Sequence, residues 1–176
     1  MNEPMTVILA SRNAGKIREL GELLSTYDIH VLGLDSFPGI GDIEETGRTF
    51  EENALLKART VTQLTGHICI ADDSGLEVDA LDGAPGIHSA RYADDWHSLD
   101  GESRDERNMR KLLSVLSKLP DAPRSARFVC CMAAVKPDFL EGRDLVVRGT
   151  WEGSILDAPR GQNGFGYDPV FFDPES

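Results

Sequence analysis

The stretch Ile68-Cys69-Ile70-Ala71-Asp72-Asp73-Ser74-Gly75 decides how the rest of the chain is interpreted. Its first four residues are apolar, and two of them are β-branched, which is typical of a short buried strand. Two carboxylates and a Ser-Gly turn signal follow, so we expect the strand to end at Ala71 and its acidic residues to lie at the edge of an α/β sheet, where ligands usually bind. Adjacent strand residues point to opposite sides, so Asp72 and Asp73 are expected to have different roles.

The segment Asp72-Asp73-Ser74-Gly75 also has the chemistry of a structural turn. Asp and Ser side chains hydrogen-bond to nearby backbone groups, and Gly accepts a positive φ. Taken alone, the stretch leaves catalysis and turn formation open.

Length and charge limit the classes of function. A chain of 176 residues fits one domain that buries about 70% of the surface exposed by the unfolded chain. The formal net charge is −12, from 30 acidic and 18 basic residues, so non-specific binding to nucleic acid or to an anionic membrane is not expected. A small anion is not excluded, because a local basic cluster or a bound divalent cation can reverse the field inside one pocket.

The cysteines and histidines do not indicate a disulfide framework or a zinc site. The three cysteines are an odd number, two of them are adjacent, and they do not combine with the four histidines into a zinc pattern. No segment approaches the roughly 18 apolar residues of a membrane span. We therefore expect a cytoplasmic protein in a reducing compartment.

The N-terminal region predicts a strand over Met5–Ala10, a polar loop over Ser11–Lys16 and a helix from Ile17 to about Tyr27. A loop at a helix N-terminus that carries a lysine is an anion-binding arrangement. The Walker A pattern fails here at two positions. Asn13 as a helix cap and Lys16 on a solvated face remain an equally good interpretation.

An acidic, turn-rich segment over residues 35–47 precedes a second predicted helix. Thr49 and Glu52 have capping-box spacing, and Gly66 is expected to end the helix. Glu44 and Glu45 are either solvated loop acids or metal ligands just ahead of that helix.

The second half of the chain predicts a further helix and a hairpin. Ser103 starts a second capping box, and apolar residues at helical spacing continue to Leu119, before Pro120. The β-rich segments 126–135 and 145–151 are expected to pair, with Cys130 and Cys131 as packing residues.

The glycine-rich segment 161–169 contains two aromatic residues. Phe165 or Tyr167 could stack on a base, because glycines let backbone approach a flat ligand. A tight loop held by its aromatic residues is the alternative.

Five motifs occur in a fixed order along the chain. They are Ser11-Arg12-Asn13-Ala14-Gly15-Lys16, Glu44-Glu45-Thr46-Gly47 before Thr49-Phe50-Glu51-Glu52-Asn53-Ala54, Ala71-Asp72-Asp73-Ser74-Gly75-Leu76, Gly83-Ala84-Pro85-Gly86 with Ser89-Ala90-Arg91-Tyr92, and Phe165-Gly166-Tyr167-Asp168-Pro169. In this combination the chain closely resembles the Ham1-like inosine triphosphate pyrophosphatases (ITPases), also called dITP/XTP pyrophosphatases. The resemblance covers nearly the whole chain.

The resemblance implies an α/β fold with a long mixed β-sheet, flanking helices and two lobes around a central substrate cleft. It also implies a hydrolase that uses Mg²⁺, cleaves the α–β phosphoanhydride bond of dITP, ITP and XTP, and so removes these nucleotides from the pool as monophosphate and pyrophosphate. A homodimer is expected on the same basis.

The same resemblance implies roles for individual residues. Asp73 matches the catalytic proton acceptor and a metal ligand, Ser74 matches a substrate contact, and Glu44, in preference to Glu45, would complete the metal site. The triphosphate would be cradled by Ser11, Arg12, Asn13, Ala14, Gly15 and Lys16, with Asn13 and Lys16 as side-chain contacts. The base-binding segment would consist of Phe165, Gly166, Tyr167 and Asp168.

The family continues beyond the double Phe with a lysine-bearing segment, a Ser-His-Arg motif and a terminal helix, whereas this sequence ends at Ser176. We therefore expect residues 1–176 to form a single ITPase-like domain that lacks that segment. Two alternative functions follow: a nucleotide-binding protein whose catalysis is impaired by this loss, or a pyrophosphatase for another modified nucleotide.

Overall fold

The structure, a computed structural model, describes residues 5–138, 143–161 and 164–174. The strands and longer helices follow one another as β1 (Met5–Leu9), α1 (Ala14–Leu24), β2 (Ile29–Leu32), α2 (Phe50–Thr65), β3 (Ile68–Val78), α3 (Arg104–Ser117), β4 (Ser125–Val135), β5 (Leu145–Ile155) and β6 (Phe171–Phe172). Short 3-10 helices occupy Ser25–Tyr27, Leu34–Ser36, Asp79–Leu81, Gly86–Arg91 and Asp168–Val170.

Within the described residues the strands form one six-stranded sheet in the order β2-β1-β3-β4-β5-β6. Strand β1 is parallel to both β2 and β3, with Val7 opposite Ile68 and Leu9 opposite Ile70, whereas β5 and β6 are antiparallel. The predicted α/β class with a long mixed sheet and flanking helices is therefore confirmed. The predicted lobes around a central cleft stay a prediction.

Strand β3 corrects the prediction made from its sequence. The strand does not end at Ala71 but runs from Ile68 to Val78, through both carboxylates and the Ser-Gly pair. The expected turn does not form, and Gly75 has no positive φ. Instead, the buried positions change spacing: they alternate by two up to Asp73 and resume at Leu76, three residues later. Ser74 and Gly75 therefore change which face of the strand is buried, and pairing within the sheet overrides the local turn preference.

The first of two compact units comprises residues 1–73 and 131–148. Its core joins β1, α2 and the first half of β3 through residues such as Ile8, Ala58 and Cys69. The predicted N-cap Thr49 accepts a hydrogen bond from the Glu52 N–H, at 3.1 Å. The Glu52 carboxylate accepts from the Arg48 N–H rather than from Thr49, so the reciprocal capping box predicted here is not formed.

The second compact unit comprises residues 74–130 and 149–176. Its core contains Leu76 and Val78 from β3 and the apolar stripe Met109, Leu112 and Leu116 of α3, as predicted. The capping box at the start of α3 is complete, since the side chain of Ser103 and that of Glu106 each bind the other residue's backbone N–H. The helix ends at Ser117, so the predicted last core position, Leu119, lies beyond it and is exposed.

The two β-rich segments form β4 and β5, and β5 extends four residues beyond the predicted end at Trp151. Residues 139–142 of the predicted connection lie outside the described residues. Cys131 is buried, as expected for a packing residue, but Cys130 is exposed and that prediction is wrong. The physical reason is the strand alternation, which directs adjacent side chains to opposite faces.

No helix in the described part of the chain has the length and apolar character needed to cross a membrane.

Gly66 should be required by the C-terminal cap of α2. It has φ +70° and donates its N–H to the Thr62 carbonyl, a conformation that costs a residue with a Cβ about 1–2 kcal/mol. We expect Gly66→Ala to lower the free energy of unfolding by about 1 kcal/mol, measured by urea denaturation. Gly39→Ala is the control, because Gly39 has no positive φ and a Cβ added there would meet open space. Equal effects of the two changes would contradict this assignment.

Candidate active site

The loop between β1 and α1 is organised by the side chain of Asn13. Its Oδ1 accepts hydrogen bonds from the Gly15 N–H (2.9 Å) and the Lys16 N–H (3.2 Å), and the Asn13 N–H donates to Ser11 Oγ (3.0 Å). Asn13 is thus the N-cap of α1, as one of the two sequence interpretations predicted. Ser11 and Gly15 are half-buried, whereas Arg12, Asn13, Ala14 and Lys16 are exposed.

Arg12 is held by the chain segment that follows β2. Its Nη2 donates to the Ile40 carbonyl at 2.6 Å, and its Nη1 lies 3.6 Å from the Asp35 carboxylate. These contacts hold the Arg12 side chain against residues 35–40. The structure therefore shows a supporting contact for Arg12, and its assignment to substrate binding stays a prediction.

Asp72 and Asp73 have different partners, as the alternation of β3 predicted. Asp72 Oδ2 lies 2.7 Å from Lys16 Nζ, so a lysine in the first turn of α1 is held by a carboxylate of the strand. Asp73 is 7% exposed, and its Oδ2 accepts a hydrogen bond from Asn53 Nδ2 at 3.0 Å. Asn53, itself fully buried, was missed as a functional residue, although a polar residue beside the apolar stripe of α2 was a signal in the sequence.

The two glutamates ahead of α2 also differ. Glu45 accepts a hydrogen bond from Lys57 Nζ of α2 at 2.5 Å, and both side chains are mostly buried. Glu44 is exposed. Lys57 was not predicted as a site residue, because its partner lies twelve residues away and no local pattern links the two.

Acidic residues of the first compact unit provide oxygen ligands of the kind that Mg²⁺ prefers. Within residues 5–138, 143–161 and 164–174, no three His, Cys, Asp or Glu side chains converge as a metal-binding group. Mg²⁺ characteristically binds one or two carboxylates and completes its octahedron with water and substrate phosphate oxygens. Two carboxylates can therefore suffice when a polyphosphate supplies the remaining ligands, and the assignment of Asp73 and Glu44 stays a prediction.

The second unit contains a cavity of about 450 Å³. Five predicted site residues line it together: Ser74, Phe165, Gly166, Tyr167 and Asp168. The rest of its wall includes Ser89, Asp105, Asn108, Phe128 and Trp151. The cavity wall is mostly apolar with a few polar groups, which is the usual composition of a small-molecule site.

Hydrogen bonds fix the backbone of the aromatic segment. Asp168 Oδ2 accepts from the Phe165 N–H at 3.0 Å, and Asp105 Oδ2 accepts from the Gly166 N–H at 2.8 Å. The Phe165 side chain is 81% exposed, so its ring face is open to a ligand. Gln162 and Asn163, from the predicted glycine-rich segment, lie outside the described residues.

Tyr167 has a structural role that distinguishes it from Phe165. It is 5% exposed, and its hydroxyl donates to the Ser89 carbonyl at 2.8 Å. Burial raises the pKa of the Tyr167 phenol well above its usual value. The phenol therefore stays protonated and remains a hydrogen-bond donor at neutral pH.

Asn108 of α3 holds the segment 89–93, which contributes Ser89 and Ala90 to the cavity wall. Its Oδ1 accepts from the Ala93 N–H at 2.8 Å, and its Nδ2 lies 3.2 Å from the carbonyls of both Ser89 and Ala90. Asn108 was missed in the sequence because its partners lie 15 to 19 residues away. A buried polar residue next to the core position Met109 was the available signal.

Comparisons with known proteins agree with these features. The model of the Ham1 family matches residues 7–176. A dITP/XTP pyrophosphatase from Nitratidesulfovibrio vulgaris is 59% identical over 171 residues, which cover 97% of this chain and 81% of the relative. A dITP/XTP pyrophosphatase from Bacillus cereus is 46% identical over 173 residues, 98% of this chain and 80% of the relative.

Solved structures show the same similarity. The structure of a HAM1 protein from Coxiella burnetii superposes with a TM-score of 0.87 at 42% identity, covering 97% of this chain and 83% of that one. The Staphylococcus aureus Ham1 protein gives a TM-score of 0.83 at 44% identity, covering 97% and 82%. The resemblance inferred from the five motifs is confirmed by a family match that spans nearly all of the sequence, and the chain belongs to the Ham1 family.

Proposed function

We propose that this protein hydrolyses the non-standard purine nucleotides dITP, ITP and XTP to the monophosphate and pyrophosphate, with Mg²⁺ as cofactor. Relatives named dITP/XTP pyrophosphatase, 59% and 46% identical over nearly the whole chain, support this activity. The structural observation that carries the proposal is the nearly buried carboxylate of Asp73, held by Asn53 in the same unit as the Lys16 loop.

The first unit supplies groups suited to a triphosphate. Lys16 and Lys57 are each held by a carboxylate, Asp72 and Glu45 respectively. A lysine ammonium can exchange a carboxylate for a phosphate oxygen without losing a charged partner. These lysines would therefore offset the charge of the polyphosphate in a protein whose net charge is −12.

We assign Asp73 and Glu44 as the ligands that would hold Mg²⁺, with Glu45 as the alternative to Glu44. When bound, the ion would polarise the phosphate oxygens and lower the pKa of a coordinated water. Asp73 would accept the proton of the attacking water, because a carboxylate can serve as a general base. Lys16 would neutralise negative charge as pyrophosphate leaves.

The second unit supplies groups suited to the base. Phe165 would stack on the purine ring, since its side chain is exposed and its backbone is fixed by Asp168. Tyr167 would shape the cavity rather than stack, because it is buried and bonded to Ser89. Ser74, Gly166 and Asp168 would contribute polar contacts from the cavity wall. The homodimer and the cytoplasmic location stay predictions.

A substrate panel tests the proposed activity. Purified protein with Mg²⁺ should release pyrophosphate from dITP and XTP with kcat/KM at least about tenfold above dGTP and dUTP, a preference of about 1.4 kcal/mol. Release is measured by a coupled pyrophosphate assay, and omission of the metal is the control. A preference for dUTP, or equal rates for all four nucleotides, would contradict the proposal.

Asp73→Asn should remove turnover while the nucleotide still binds. The amide at position 73 can still accept the hydrogen bond from Asn53, so the fold should be retained, but it cannot take a proton. We expect kcat for dITP to fall by about 10³-fold and the dissociation constant from calorimetry to change far less. Asp72→Asn is the matched control. It should lower kcat less than Asp73→Asn does and raise KM more. Equal kcat for the Asp73 variant and the unmodified protein would refute the assignment.

Phe165 and Tyr167 should respond differently to substitution. Phe165→Ala removes a stacking surface worth about 1–3 kcal/mol per base, so we expect KM for dITP to rise about tenfold with the melting temperature unchanged. Tyr167→Phe removes one buried hydrogen bond, worth about 1 kcal/mol of stability, with a smaller change in KM. Thermal denaturation and initial-rate kinetics on both variants separate the roles, and the reverse pattern would contradict them.

A further inference from the structure

Asn53 connects the proposed catalytic carboxylate to the acidic segment ahead of α2. It lies in the first turns of α2 and is fully buried. Its Nδ2 donates to Asp73 Oδ2 at 3.0 Å, and its Oδ1 accepts from the Gly47 N–H at 2.8 Å. Both contacts lie within the first unit. One side chain therefore connects Asp73 to the backbone of the Glu44–Gly47 segment.

Chemistry fixes the orientation of this amide. A backbone N–H can only donate, so the oxygen of Asn53 must face Gly47 and its nitrogen must face Asp73. An ionised carboxylate can only accept, which satisfies that nitrogen. The two hydrogen bonds run in the same direction, from Gly47 through Asn53 to Asp73, and each polarises the amide in the sense that strengthens the other.

The approach at Gly47 is too close for any other residue. A Cβ added there would lie 2.6 Å from Asn53 Oδ1 and 3.0 Å from the Asn53 backbone nitrogen. The hydrogen bond from the Gly47 N–H is thus made at a distance that requires the absence of a side chain at position 47. This gives the glycine of the Glu44-Glu45-Thr46-Gly47 motif a physical reason.

Packing alone does not explain an asparagine at position 53. The buried face of α2 is otherwise made by Phe50, Ala54, Ala58 and Val61, with Thr62 as a further polar member. An apolar residue of similar size would avoid the cost of burying an amide. It would, however, leave Asp73 without this donor and the Gly47 N–H without this acceptor.

We propose that Asn53 is a positioning residue for hydrolysis: it fixes the orientation of the Asp73 carboxylate and keeps the Glu44–Gly47 segment in register with it. This inference rests on the proposed function, because Asp73 is assigned there as the proton acceptor. Asn53 acts only through Asp73 and Gly47. Its loss should therefore lower kcat much more than it raises KM.

Three substitutions separate the hydrogen bond from Asn53 to Asp73 from the hydrogen bond from Gly47 to Asn53. Asn53→Asp keeps the shape and the acceptor for Gly47 but replaces the amide donor to Asp73 with a second carboxyl group, which repels Asp73 or shares a proton with it. Gly47→Ala keeps Asn53 and Asp73 but places a methyl group against Asn53 Oδ1. Thr62→Val is the matched control, since Thr62 is a buried polar residue of the same helix whose hydroxyl donates to the Val135 carbonyl at 3.2 Å.

We expect Asn53→Asp and Gly47→Ala each to lower kcat for dITP by about 10- to 100-fold, with KM within about threefold, the range seen when a group that orients a catalytic residue is removed. Thr62→Val should lower the melting temperature but leave kcat unchanged. The proposal would be overturned if kcat fell in all three variants in proportion to the fall in their melting temperatures. An unchanged kcat for Asn53→Asp would overturn it as well.

Proton–nitrogen correlation spectra provide a readout that does not depend on activity and that shows directly whether each variant keeps the fold. The Asn53 side-chain amide signals, assigned by their loss in Asn53→Asp, should shift strongly in Asp73→Asn and only slightly in Thr62→Val. Equal, small shifts in both would overturn the proposal. If the unmodified protein fails to hydrolyse dITP, the proposed function fails, while these spectra still test the contact between Asn53 and Asp73.

Discussion

The unbroken extended course of β3 is the constraint on which both compact units depend. Because the strand runs through Asp72, Asp73, Ser74 and Gly75 without a turn, the sheet fixes the direction of each side chain. Asp72 faces Lys16 and Asp73 faces Asn53. The change of spacing at Ser74 and Gly75 then places Leu76 and Val78 in the core of the second unit. A single strand thus supplies the proposed catalytic carboxylate to one unit and core residues to the other.

Patterns of neighbouring residues correctly predicted the helix caps, because such caps depend on contacts between neighbouring residues. Asn13, Thr49 and Ser103 cap the three long helices as their sequences indicated, and Gly66 ends α2. The predicted end of β3 at Ala71 was wrong, because the interactions that keep this strand extended are not local. Asp, Ser and Gly favour turns through contacts with their own backbone, but the pairing that keeps β3 extended comes from strands distant in sequence, which no local pattern reports. The prediction that Cys130 is a packing residue was wrong, because adjacent residues of a strand point to opposite faces.

The residues of the candidate site also fall into two groups, those that a sequence motif predicted and those that it did not. The five motifs contain the predicted phosphate loop, both aspartates and the cavity-lining aromatic segment, because the residues of each stand next to one another in the sequence. Their supporting residues were given no role from the motifs, although Asn53 itself stands in one of them. Asn53 contacts Asp73 across twenty residues, and Asp105 contacts Gly166 across 61. Such contacts depend on the tertiary structure. The available signal, a single asparagine beside an apolar helix stripe, is shared with many residues that have no role in a site.

The partners of the acidic residues are consistent with the proposed function, in which an acidic protein would bind a polyanion and use one carboxylate as a base. Asp72 and Glu45 are paired with lysines, and an ammonium group can turn to a phosphate once the nucleotide arrives, since its attraction is not directional. Asp73 is held instead by a neutral amide that is anchored at its other end to Gly47. A phosphate does not compete for that amide as it does for an ammonium ion, because the amide carries no net charge. In the proposed mechanism, nucleotide binding would therefore redistribute the lysines while the hydrogen bond from Asn53 keeps the Asp73 carboxylate oriented, which is a condition that a proton acceptor must meet.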